Sequence, residues 1–110
     1  MSYKIQYSAE ALKDLDEIWE YILWELCNPD AAERVVTQML DAIDALKEFP
    51  RQGPLLSSVA EVDSDYRFVI SGNYMAFYRI VEKTVYVDRI LYQGREYMRI
   101  LFGDVPKETE

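Results

Sequence analysis

The chain has no histidine and a single cysteine, Cys27, in 110 residues. The missing imidazole removes the commonest metal ligand and the usual proton carrier near neutral pH. With one thiol a zinc site lacks its donors, and no metal or cofactor is expected. The same count excludes an internal disulfide and fits a reducing cytoplasm. No apolar run approaches the roughly 20 residues that cross a bilayer. The opening MSYKIQYSAE lacks the apolar core of a signal peptide. There is no repeat, no low-complexity stretch and no linker. The net charge of −8 argues against a general nucleic-acid binder, because such binding rests on phosphate neutralisation.

What is present is a core-forming composition for one domain: half the residues are apolar and 14% aromatic. The charge is unevenly spread. Residues 1–50 carry 4 Lys and Arg against 11 Asp and Glu. Residues 66–102 reverse the balance, with Arg67, Arg79, Lys83, Arg89, Arg95 and Arg99 against Glu82, Asp88 and Glu96. An acidic half therefore precedes a locally basic one, and local charge decides what a surface can meet.

Periodicity separates these halves into helices and strands. Tyr3–Tyr7 alternates as a half-buried strand. Ser8 is placed to cap a helix, with Glu10 in its first turn. Leu12, Leu15, Ile18, Trp19, Ile22, Leu23 and Leu26 then form one apolar stripe, while Asp14, Asp16, Glu17, Glu20 and Glu25 occupy the remaining circumference. Asn28-Pro29 reads as an N-cap followed by proline at the first helical position. The second helix carries Ala32, Val35, Val36, Met39, Leu40, Ile43, Leu46 and Phe49, and Pro50 ends it. So short a connection makes an antiparallel helical hairpin.

Arg51–Asp65 is expected as a loop. Strands follow at Tyr66–Ile70, Tyr74–Val81 and Thr84–Tyr92, joined at Ser71-Gly72-Asn73 and Glu82-Lys83. Arg95–Phe102 is compatible with a short helix, and residues 103–110 form a polar tail expected to fray. The order β-α-α-β-β-β predicts an α+β domain over residues 1–102, with the helical hairpin on one face of a small antiparallel sheet and the other face at least partly open.

Several segments in order resemble the RelE/ParE superfamily of toxins from bacterial type II toxin–antitoxin systems, also called plasmid stabilisation proteins. They are YKIQYSAEALKDLDEIWEYI, NPDAAERVV, AIDALKEFPRQG, YRFVISGNYMAFYRI and VYVDRILYQGREY, so the resemblance spans roughly Tyr3 to Phe102. It implies the fold above, a cognate antitoxin as partner, and growth arrest. Its RelE-like branch implies ribosome-dependent cleavage of mRNA; its ParE-like branch implies inhibition of DNA gyrase without nuclease activity. A degenerate member kept as a non-toxic binding module is a third reading.

The nuclease reading would use Arg67, Arg95 and Tyr97, since cleavage needs a base, a cation at the phosphate and an acid. In RelE-like nucleases an arginine opens the strand matching Tyr74–Val81; here Met75 stands at that position, and the lysines of the preceding strand are absent. A thioether cannot replace a guanidinium, which favours the ParE-like reading. That reading needs a protein-binding surface, with Arg67, Arg79, Arg89 and Arg95 as candidate contacts beside the sheet tyrosines Tyr66, Tyr74, Tyr78, Tyr86 and Tyr92.

Plainer roles stand beside these. Arg67 could pair with an acidic residue of the first helix, and Arg79 could lie on the open surface or snorkel over the sheet edge. Asp88-Arg89 interrupts the alternation, which hints at a bulge that would set the direction of Arg89. Trp19 belongs to the core stripe, whereas Trp24 lies partly off it, at the core rim or against a partner. Cys27 is expected as an inert, partly buried thiol and Met39 as core filler. The acidic face of the first helix is either solvated or a docking surface for basic segments of a partner. Exposed strand edges make a homodimer plausible.

Overall fold

In the computed structural model, residues 2–59, 64–94 and 97–102 are described. Strand β1 (Lys4–Tyr7) leads into helix α1 (Ala9–Glu20). Helix α2 (Pro29–Asp44) follows, then strands β2 (Arg67–Ser71), β3 (Tyr74–Val81) and β4 (Thr84–Tyr92), and the short helix α3 (Tyr97–Phe102).

Local chemistry starts both long helices. The Ser8 hydroxyl accepts the N–H of Ala11 at 2.9 Å, and the Asn28 side chain accepts that of Ala31 at 3.1 Å. Each cap satisfies a donor that the first helical turn leaves orphaned. Gly72, with φ of 61°, closes the β2–β3 hairpin. The β3–β4 hairpin places Glu82 at φ of 56°, a left-handed conformation without glycine.

The sheet order is β1-β4-β3-β2. β2 with β3 and β3 with β4 are antiparallel, but β1 lies parallel to β4, with Ile5 beside Val85 and Tyr7 beside Val87. The expected wholly antiparallel sheet is therefore mixed. The helical hairpin is itself the crossover from β1, and a parallel pairing requires such a long connection.

The helices cover one face of the sheet. Ala11 and Leu15 of α1 and Met39, Ile43 and Leu46 of and beyond α2 pack against Ala76, Tyr78, Val85, Val87 and Ile90. The second face is less open than expected. Leu56, in a short 3-10 turn within the 51–65 loop, joins Phe68, Met75, Phe77 and Leu91 in a separate buried cluster, against which Tyr66 and α3 pack.

The first apolar stripe is displaced from its expected line. Ala11, Asp14, Leu15 and Ile22 are buried, whereas Leu12, Trp19 and Leu26 are exposed. Two causes act on different parts of the stripe, the first before Tyr21 and the second after it. The core-facing line runs through Ala11 and Asp14 instead of Leu12. At Tyr21–Glu25 the α-helix widens into a π-helical turn, with the Leu26 N–H bonded to the Tyr21 carbonyl at 3.3 Å. That extra residue shifts the phase of everything after it. Cys27 then takes φ of 53° and its thiol is exposed, not partly buried. Leu40 and Phe49 of the second stripe are exposed as well, while Met39 fills the core as expected. No helix among the described residues is long and apolar enough to cross a membrane.

Candidate partner-binding and catalytic positions

Strand β4 carries the bulge that the Asp88-Arg89 dipeptide suggests. Phe77 stands opposite Arg89 and Tyr78 opposite Val87, which leaves Asp88 as the extra residue. The entry to α1 locks this bulge in place. The Ser8 N–H donates to the Val87 carbonyl at 2.9 Å, and its hydroxyl to the Asp88 carbonyl at 2.6 Å.

The bulge directs Arg89 to α1. Its Nε donates to Asp14 Oδ2 at 2.8 Å and its second terminal nitrogen to Oδ1 at 3.0 Å. Asp14 Oδ2 also accepts the backbone N–H of Ile90 at 2.9 Å, satisfying a donor on β4 beyond the last residue that β1 pairs. The hydrogen bond from Arg89 to Asp14 holds the guanidinium proton above its ordinary affinity, against the opposing effect of burial. Asp14, expected on the solvated side, is thus a buried partner of the arginine nominated for binding.

Arg67 faces a different network. It donates to the carbonyls of Gly53 at 2.8 Å and Arg51 at 3.3 Å, and no ion pair among the described residues joins it to α1. Beside it, the buried Tyr78 hydroxyl donates to the Pro50 carbonyl at 2.7 Å and accepts the Gly53 N–H at 3.2 Å. Burial raises the pKa of this phenol. Together they clamp the chain where it leaves the helical layer.

Arg79 belongs to the second face. Its guanidinium lies 5.1 Å from the centre of the Tyr66 ring and 3.9 Å from Asp65. The Tyr66 hydroxyl donates to Asp88 Oδ2, and its ring meets Phe102 edge-on at 5.8 Å. Burial, then the hydrogen bond and charge of Asp88, push the Tyr66 pKa up to about 12, against the lowering effect of Arg79. Tyr97 packs its ring on Phe77 at 5.2 Å. Met75 is 6% exposed within the same apolar cluster. Arg95 lies outside the described residues.

Among the described residues, the candidate arginines Arg67, Arg79 and Arg89 each engage a different partner. Arg67 clamps a loop, Arg89 binds α1, and Arg79 lies over Tyr66. Asp14 and Asp88 are not among the candidate site residues read from the sequence. A signal for Asp14 is present in the spacing Ala11, Asp14, Leu15, Ile18, Ile22, which places a carboxylate on a helix's core side.

The family model described as the ParE toxin of type II toxin–antitoxin system, parDE, matches residues 5–97. The chain is 41% identical over 70 residues to the protein named "Putative toxin Y4kP" of Sinorhizobium fredii (strain NBRC 101917 / NGR234), a match covering 61% of this chain and 71% of the relative. Among solved structures, a chain of the chromosomal ParDE system from P. aeruginosa superposes with a TM-score of 0.69 at 22% identity, covering 83% of this chain and 96% of the other. A chain of the RelBE2 toxin–antitoxin complex from Mycobacterium tuberculosis gives 0.57 at 22% identity, covering 84% and 99%. At that identity the two structures speak for a shared fold. The family match begins in β1, takes in the helical hairpin and the bulged β4, and ends at Tyr97, and on that extent the chain belongs to the ParE toxin family of type II toxin–antitoxin systems, within the RelE/ParE superfamily.

Proposed function

We propose that this protein arrests growth in the cytoplasm by binding and blocking a protein machine, a gyrase-type topoisomerase, rather than by cutting RNA, and that a cognate antitoxin silences it by covering its binding surfaces. The observation that carries this reading is Met75. It stands where the resemblance places a nuclease arginine, and it is buried among Phe68, Phe77 and Leu91.

RNA cleavage needs a cation fixed against the charge that develops on the phosphate. Among the described residues, the sheet face around Met75 is apolar, and its nearby guanidinium, Arg79, already faces Tyr66 and Asp65. Tyr97 rests its ring on Phe77. Blocking a protein machine requires none of this geometry. It requires exposed anchors, and Trp24, Tyr21, Phe49 and Tyr92 are all exposed.

The test is to induce the chain alone in a bacterial host and map mRNA 5′ ends within minutes, beside a supercoiling assay with purified gyrase. Intact messages with inhibited supercoiling are expected. New ends within translated regions, lost with Arg95→Ala, would overturn the proposal in favour of the endoribonuclease. Normal growth of the induced cells would instead point to a non-toxic binding module.

A further inference from the structure

Within β4, Asp88 alone lacks an opposite residue on β3, because the bulge sets Arg89 against Phe77 and Val87 against Tyr78. The ladder does not hold it there, and its polar groups are taken from both sides of the sheet. On the helical side its carbonyl accepts the Ser8 hydroxyl at 2.6 Å. The same hydroxyl accepts the Ala11 N–H and so caps α1. The next two residues are tied to α1 as well: the Arg89 guanidinium and the Ile90 N–H both donate to Asp14. On the second face, the Asp88 carboxylate accepts the Tyr66 hydroxyl.

Tyr66 gathers the second face. Its carbonyl accepts the Leu56 N–H at 2.8 Å, and its N–H donates to the Ser64 hydroxyl at 2.9 Å. Phe102 of α3 meets its ring, and the Arg79 guanidinium lies over it. Arg79 is exposed and Tyr66 half-buried, so a molecule reaching this face from solvent meets both. A hydroxyl–carboxylate bond at such a site is either made or exchanged for a bond to water or to a ligand. Once it is exchanged, the unpaired Asp88 is held from the helical side alone, and its carbonyl is free to shift under Ser8.

We infer that the Asp88 bulge couples the two faces of the sheet. Engagement of Arg79 and Tyr66 on the second face draws the Tyr66 hydroxyl from Asp88 and loosens the seating of the α1 N-terminus on the first. By linkage, whatever clamps α1 onto β4 holds Tyr66 on Asp88 in return. The coupling belongs to the free chain, whichever machine the toxin arrests. It lets a protein seated on the helical hairpin and another seated on the second face influence each other without touching. The physical warrant is one unpaired residue that both faces bias, and not mere position between them.

The test is amide hydrogen exchange, read by NMR on the full chain. The probe amides are Ala11, bonded to Ser8, and Ile90, bonded to Asp14, both on the helical side. The reference amides are Ala31 and Ala32, held by Asn28 at the start of α2. Tyr66→Phe deletes only the hydroxyl. It should speed exchange at Ala11 and Ile90 about tenfold and leave Ala31 and Ala32 unchanged. Asp88→Ala should give the same pattern, and the Tyr66→Phe, Asp88→Ala double variant should add nothing to either. Unchanged exchange at Ala11 and Ile90 would overturn the inference. So would an equal rise at all four amides, which marks a general loss of stability. Additive effects of the two substitutions would overturn it as well, since they would then act through separate contacts.

Discussion

Asp14 on α1 and Arg89 on β4 are joined by two hydrogen bonds, of 2.8 and 3.0 Å, across 75 positions of sequence. Because Asp14 also takes the Ile90 N–H, one carboxylate ties the first helix to the bulged strand. Asp14→Ala should lower the unfolding free energy by about 2–4 kcal/mol, since it strands a half-buried guanidinium and a buried amide. Asp14→Asn, which keeps an acceptor, should cost less. Urea denaturation of the three proteins measures this, and a loss below about 1 kcal/mol for Asp14→Ala would show the pair to be marginal.

Tyr78→Phe removes a buried hydroxyl that bonds both Pro50 and Gly53. The expected loss is about 1–3 kcal/mol, because the carbonyl and amide left behind lose their partner. Gly53→Ala strikes the same clamp sterically: a methyl there collides with the Phe68 carbonyl and the Tyr78 hydroxyl. It should destabilise at least as much as a typical overpacked core substitution, about 1–3 kcal/mol. Unchanged thermal midpoints for both variants would remove the clamp from the account of the fold.

Met75→Arg tests the second face. An arginine at this buried position has no described carboxylate among the apolar side chains around it. It should destabilise by more than about 3 kcal/mol and give no RNA cleavage. A stable, RNA-cutting Met75→Arg protein would mean that a single substitution separates this chain from a nuclease.

Glu82 holds a left-handed backbone at the β3–β4 turn. Glu82→Asn, a residue that tolerates this region, should stabilise the protein by about 0.5 kcal/mol, read as a rise in the urea midpoint with no change in slope. A fall in the midpoint would show that the glutamate side chain itself supports the turn.

Alkaline pH should unfold the protein through its tyrosines. The phenols of Tyr66, Tyr7, Tyr74 and Tyr78 all lose protons less readily in the fold than at the ordinary value of 10.0, chiefly because burial disfavours the anion. The native state then binds more protons than the unfolded one above pH 10. Their stabilising contribution is complete below that value and declines as pH rises through about 12, where Tyr66 titrates. Urea midpoints measured across this range should fall, and Tyr66→Phe should flatten part of the decline. A midpoint constant to pH 12 would contradict the assigned environments.

The places where sequence reading and structure part company have a common character. Ser8, Asn28-Pro29 and the Gly72 hairpin act through bonds to residues within a few positions, so local spacing suffices to place the element starts. The stripe on α1 fails because its core-facing line carries an aspartate whose partner lies in the last strand, and the π-helical turn shifts the phase only of the residues beyond it. Trp19 was assigned to the core on that stripe and is instead exposed. Arg67 and Arg89 show the same dependence. Both are strand arginines in similar sequence settings, yet one clamps a loop and the other binds a helix.

Sequence alone determined the element order, the helix caps, the hairpins and the toxin-family resemblance, because these rest on periodicity and on short-range steric and hydrogen-bonding rules. Only the tertiary structure decided that β1 runs parallel to β4, that Asp88 is the bulged residue, that Arg89 turns to Asp14, and that Met75 is sealed in a second apolar cluster. Each of these depends on which distant segment packs alongside, and a pairing of that kind is fixed by the burial and hydrogen-bond satisfaction of the whole sheet rather than by any one stretch of chain.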